Sequence, residues 1–197
     1  MLITSTKLLG TPVLSVQTSG AIAQIDSAII DPDNLKIIAF KLSGPAVTSQ
    51  ANLLDVKSIR EYSHLGLIID SEDELINSND VIKIKDVLDL NFNLLGLKVE
   101  TRKGSKLGHI TGYTFNSDDF VIQQIIVKRP LVKSFVDPEL TIHRREIVEI
   151  TDYKVVVKDE EKVLKARANK EDFVPNFVNP FRTDPTFAAS ETEEKPD

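Results

Sequence analysis

The stretch that most limits what this chain can fold into is Leu95 to Pro130, LGLKVETRKGSKLGHITGYTFNSDDFVIQQIIVKRP. It reads as three short strands parted by two turns, and a looser copy of it fills Leu9 to Leu42. Val99 and Thr101 alternate with Lys98, Glu100 and Arg102, the period of a half-buried strand. Lys103-Gly104-Ser105 then makes a turn in which Gly104 supplies the positive φ of a tight hairpin. In the second run, Leu107, His109, Thr111 and Tyr113 fall on one face by strict alternation, with Gly108, Ile110, Gly112 and Thr114 on the other. Two glycines four apart in a strand call for a sharp bend or a close backbone approach. Asn116 to Asp119 is a polar turn, Phe120 to Val127 a third strand, and Pro130 ends it. The glycine spacing also fits a loose phosphate loop, but no Gly-Lys-Ser/Thr follows, so a hairpin is the reading taken.

The earlier copy repeats this order. Thr11 to Gln17 is a strand, Thr18-Ser19-Gly20 its turn, and Ala21 to Ile30 a strand with apolar residues on both parities. Asp31-Pro32-Asp33-Asn34 is a strong turn, and Leu35 to Leu42 the third strand. Gly20 stands against Gly104, Ile25 against Ile110, Leu35 against Phe120 and Phe40 against Ile125, an offset of 84 at the glycines and 85 after them. Each meander is followed by a helical or 3₁₀ turn, Leu54 to Ile59 and Arg144 to Ile150, feeding a last strand at Gly66 to Asp70 and Tyr153 to Asp159. A period near 85 suits a tandem pair of small domains rather than a solenoid. The expected class is therefore all-β: two tandem, partly open β-barrels with short helical turns and an irregular C-terminal tail.

The pattern of Leu95, Gly96, Val99, Gly104, Leu107, Gly108 and Ile110, echoed by Leu9, Gly10, Val13, Gly20, Ile22, Ala23 and Ile25, resembles the PRC-barrel family. The resemblance covers about 150 of the 197 residues, and copy one departs from it by carrying Ala23 where the second glycine is usual. Members include the cytoplasmic part of a photosynthetic reaction-centre subunit and a domain of a ribosome-maturation factor. What the resemblance implies is a non-catalytic adaptor that binds other proteins or assemblies. With it come four segments: 1–80 the first barrel, 81–94 a connector, 95–159 the second barrel, and 160–197 a short helix followed by an irregular tail. In the connector Val81, Ile84, Val87 and Leu88 fall at helical spacing while Val81, Lys83 and Lys85 alternate, and a strand turning into a short helix is expected. Its apolar content points to barrels that pack on each other or on the connector.

Chemistry-bearing residues are sparse. There is no cysteine, which removes disulfides and thiolate chemistry, and no HExxH, nucleophile elbow or cofactor fingerprint. His64, His109 and His143 lie far apart, and the acidic run Asp70 to Glu74 lacks the glycine and twelfth-position glutamate of a calcium loop. No enzyme, cofactor or metal is expected. No apolar run reaches the ~20 residues that span a bilayer, and a cytoplasmic location is the default. Charge is uneven: residues 1–92 carry 7 Lys and Arg against 12 Asp and Glu, whereas 93–160 carry 11 against 10. Only the second half can therefore offer a basic surface. Lys128, Arg129 and Lys133 follow one strand there, and Arg144 with Arg145 precedes the last turn. If both groups lie at one barrel end they form a patch for an acidic partner, anionic lipid or RNA. Phe173, Phe177 and Phe181 in the proline-broken tail are candidates for docking in cis or onto a partner. The functional expectation is a protein-interaction adaptor. A ribosome- or RNA-associated factor and peripheral membrane recruitment are the alternatives, and self-association through open strand edges a further expectation.

Overall fold

The computed structural model describes residues 1–130 and 138–159. The first strand, β1 (Leu2–Thr4), leads through a 3₁₀ turn into β2 (Pro12–Ser15), β3 (Gly20–Asp31) and β4 (Lys36–Ser43). Then come β5 (Leu53–Asp55), a 3₁₀ turn at Val56–Ser58, β6 (Glu61–Ser63), β7 (Gly66–Ile69), β8 (Leu75–Ile76) and one helix, α1 (Ile82–Asp89). The second half follows with β9 (Lys98–Thr101), β10 (Lys106–Asn116), β11 (Ile122–Lys128) and β12 (Glu139–His143). A 3₁₀ turn at Arg144–Glu146 then gives β13 (Ile147–Ile150) and β14 (Lys154–Val157).

The protein is mainly β, as expected. Two seven-stranded sheets form, one in the order β6-β7-β2-β3-β4-β5-β8, the other β12-β11-β10-β9-β14-β13 with β1 added beside β10. Six strands of each follow the same order, including the parallel pairs β2–β7 and β9–β14. Neither sheet closes on itself by hydrogen bonds, so neither is a closed barrel. The first half is also not self-contained: β1 pairs antiparallel with β10 of the second half, which moves Leu2–Thr4 out of the expected first domain.

The duplication is detailed. Gly10 and Gly96 both take positive φ, +76° and +88°, and each amide donates to the matching carbonyl, Ile25 and Ile110, at 2.8 Å. The hairpin that follows corrects one expected pairing. Gly104 has φ +79°, but its counterpart is Ser19 at φ +54°, and Gly20 is the first, extended residue of β3. An offset of 85 thus holds from the turn onward, with one residue more in the first hairpin.

The long central strands bend through bulges at matching places. Register breaks at Ile22 and Leu107 against β2 and β9, and at Asp26 and Thr111 against β4 and β11. Each extra residue flips the side-chain parity. Leu107, Ile110, Tyr113 and Phe115 are therefore all buried, while His109 and Thr111 are exposed, which overturns the strict alternation expected for this strand. At Gly108 (φ +144°) the chain comes so close to β11 that a Cβ would lie 1.9 Å from the Lys128 carbonyl oxygen. Copy one meets the same crowding with the glycine on the facing strand: a Cβ on Gly44 would sit 2.9 Å from the Cα of Ala23. The glycine missing at Ala23 is thus present across the ladder.

One apolar core runs through both halves, from Val13, Ile25 and Phe40 to Val99, Ile110, Ile125 and Val155. The connector holds one helix, Ile82–Asp89, with no strand at Val81, and Ile84 and Val87 cover Ile29, Ile38, Ala39 and Leu53 on the outer face of the first sheet. That second buried face explains why β3 and β4 are apolar on both parities. No helix among the described residues is long and apolar enough to cross a membrane.

Gly108→Ala is expected to lower stability by roughly 3 kcal/mol or more, since strain and a backbone clash coincide. Gly96→Ala, with open space around it, is expected to cost about 1 kcal/mol. Urea denaturation of the two variants checks the ranking.

Candidate interdomain clefts and the basic residues

The two halves are stitched together by one reciprocal exchange. Leu35 and Phe120 both adopt left-handed backbone, φ +46° and +57°. The carbonyl of Leu35 accepts from the amide of Ile122 at 2.8 Å, and that of Phe120 from the amide of Ile37 at 2.9 Å. Between them the equivalent residues Lys36 and Val121 form an antiparallel bridge. Such symmetry describes a two-fold axis inside one chain. Aromatic rings cross the same seam: Phe120 meets Phe40 edge-on with centroids 5.9 Å apart, and Tyr62 meets Phe115 at 6.2 Å.

The axis generates two related clefts. In each, the polar turn of one half faces the 3₁₀ turn and following strand of the other. The smaller, about 320 Å³, lies between the Pro32–Leu35 turn and the segment from Arg144 to Ile150. The larger, about 620 Å³, lies between Ser117–Phe120 and the segment from Val56 to Tyr62. The two 3₁₀ turns start alike: Asp55 caps the amide of Lys57, and His143 Nδ1 accepts from the amide of Arg145. Val56 therefore occupies the place of Arg144. The Arg144 guanidinium reaches across its cleft and donates to the Asn34 carbonyl at 3.2 Å. Val56 is too short to reach its opposite wall, and that cleft stays open.

Among the groups on the larger cleft, Arg60 is paired with Asp70, Asp119 Oδ1 accepts from the amide of Val121, and Asp118 lies 3.6 Å from the chain's amino group. Lys36 and Lys57 line the cleft with no carboxylate partner among the described residues. The wall of the smaller cleft rests on Asp31, whose side chain is 6% exposed. It accepts from the Asp33 amide at 3.0 Å and the Asn34 side chain at 3.1 Å, and lies 3.2 Å from Lys83 Nζ of α1. Burial works against its charge, but the Asn34, Lys83 and Asp33 donors outweigh it and hold the carboxyl below the ordinary aspartate value.

A third, more apolar groove of about 520 Å³ straddles the axis on another face, with the equivalent residues Leu9 and Leu95 on its wall. Leu9 is 71% and Leu95 43% exposed. Tyr113 lines the groove, and burial pushes its hydroxyl up to about 12.

The expected basic patch does not assemble from its described members. Lys128 pairs with Glu139 at one end of the β11–β12 ladder, and His143, next to Arg144, pairs with Gln124 at the other. The two groups are separated by about 14 Å of strand. Arg144 is engaged with Asn34, the Arg145 carbonyl accepts from Lys158 at 2.7 Å, and Arg129 is bound through its amide to the Pro138 carbonyl. Lys133 and the tail residues Phe173, Phe177 and Phe181 lie outside the described residues, as does the helix expected from Glu160. The structural positions fall as follows: Ile25, Phe40, Val99, Ile110 and Ile125 are buried at 0 or 1% exposure, and Gly96, Gly104 and Gly108 have positive φ. His64 and His109 are exposed, His143 caps a turn, and no cluster of three metal-ligating side chains exists among the described residues. Reading the sequence missed Lys36, Lys57 and Val56, because a cleft between two halves has no local pattern. The available signal was the contrast of Val56 with Arg144 once the repeats are aligned.

Asp31→Asn is expected to cost about 1–3 kcal/mol at pH 7 by weakening charge-assisted hydrogen bonds. A depressed native pKa means this stability is present above the unfolded value and is lost as pH falls through the native one. Urea midpoints measured from pH 7 to 2.5 should therefore converge for wild type and variant in acid.

No protein-family model matches the chain, and no curated protein matches it.

Proposed function

We propose that the protein is a non-catalytic protein-interaction adaptor of the tandem PRC-barrel type, acting in the cytoplasm. The observation that carries this reading is the groove on the internal two-fold axis. Its equivalent leucines, Leu9 and Leu95, stand in solvent on the wall of this concavity, 71% and 43% exposed. Exposed apolar groups gathered around a concavity are characteristic of protein contact sites. The same strand order in both halves, and the matching left-handed Gly10 and Gly96, support the family resemblance. A shared core gives the adaptor a rigid body, so both halves present their surfaces in fixed register.

The test is crosslinking of the full chain in native lysate followed by mass spectrometry, in parallel with Leu9→Asp/Leu95→Asp. Both residues are exposed, so the double variant should fold with an unchanged thermal midpoint. A specific partner enriched by wild type and reduced about tenfold by the variant is the expected outcome. Equal recovery with both proteins, or none with either, would remove the reading.

A further inference from the structure

We infer that the larger interdomain cleft is a binding site for an acidic segment of a partner protein; this deepens the adaptor reading and rests on it. The two clefts break the internal symmetry. The backbone that frames the two clefts is duplicated: the capped 3₁₀ turns, the left-handed Leu35 and Phe120, and the polar turns that form the opposite walls. Several side chains differ, among them Arg60 for Val148 and Tyr62 for Ile150, and Met1 lines only the larger cleft. One difference bears on the span of the cleft. Where Arg144 bridges the smaller cleft to the Asn34 carbonyl, Val56 leaves the equivalent space open, and the volume rises from about 320 to about 620 Å³. That size is within the range of pockets that hold a few residues of peptide or a comparable ligand.

Charge names the ligand. Arg60, Asp118 and Asp119 are each engaged, by Asp70, by the amino group with Ser117, and by the Val121 amide. Lys36 and Lys57 are left without a carboxylate partner among the described residues, beside the acids Glu61 and Asp119, the latter capped only by a neutral amide. These lysines flank a wall that includes Tyr62, whose ring packs on Phe115 across the seam. A carboxylate-bearing segment with an apolar or aromatic side chain fits both features: two ammonium groups for its acids and a ring for its side chain. Binding through Lys36 and Lys57 should be salt-sensitive.

The test uses the full-length protein and a fluorescein-labelled peptide, Glu-Glu-Tyr-Glu-Glu, followed by fluorescence anisotropy at low salt. Inorganic phosphate serves as a competitor. Saturable binding is expected, weakened about tenfold or more by Lys57→Glu and by Lys36→Ala/Lys57→Ala. Val56→Arg, which copies the residue that spans the other cleft, should abolish it. Lys57 is exposed, so Lys57→Glu keeps the test valid if the arginine variant misfolds. No saturation up to about 1 mM, or binding indifferent to Lys57→Glu, overturns the proposal. So does complete displacement by phosphate at equal concentration, which would indicate a small-anion site. Partner crosslinking that survives Val56→Arg but is lost in Leu9→Asp/Leu95→Asp would remove the cleft and leave the adaptor standing. Peptide binding abolished by Val56→Arg, with no partner recovered from lysate, would do the reverse.

Discussion

Two residues that are not glycine, Leu35 and Phe120, hold left-handed backbone at the point where the halves meet. For bulky side chains this conformation costs on the order of 1–2 kcal/mol each. What offsets it is visible on both sides of the axis. The strained turn aims each carbonyl at the partner half's amide and delivers the side chain into the shared core, where both residues are buried. Relaxing either turn would break a buried hydrogen bond and withdraw an apolar group together. The strain and the association of the halves are one feature.

From that seam the rest follows. Because the halves join at equivalent turns, their apolar faces merge into one core instead of two. The segments before each repeat cross over or cap: β1 pairs with β10 of the other half, and α1 covers the outer face of the first sheet, held by Lys83 to the buried Asp31. The outer face of the second sheet carries Thr114, Gln123, Gln124 and Thr141 where the first has Ile29, Ile38, Ala39 and Leu53. The two halves thus share a frame and differ in what is built on it: a helix-covered face on one sheet, a cleft spanned by Arg144 on one side, a wider one on the other.

Much of the frame was legible in the residues. Turn chemistry marked the Asp31–Asn34 and Asn116–Asp119 bends, and the pairing of Leu35 with Phe120 emerged from simple alignment. What failed, failed for local physical reasons. Strict alternation misplaced Ile110 because bulges at Leu107 and Thr111 flip parity, and a bulge leaves only a glycine nearby as its sign. Gly20 was assigned a turn role that Ser19 performs, since a short polar side chain also tolerates positive φ. The connector's competing periods were resolved by the apolar outer face of β3 and β4, information that lies outside the connector. The site was least legible of all. Lys128 and Arg144 look like neighbours in a basic half-chain, but ladder register separates them, and the open cleft is built by residues from both repeats.

The account stands on the halves being one cooperative body joined at that seam. Native-state hydrogen exchange at the amides of Ile37 and Ile122 measures this directly, because each donates only across the axis. Both amides should exchange through global unfolding alone, with the same free energy as core amides such as those of Phe40 and Ile125, and should respond to urea with the same slope. Exchange of either amide through a small local opening, well below the global value, would show that the halves separate independently and would contradict the account.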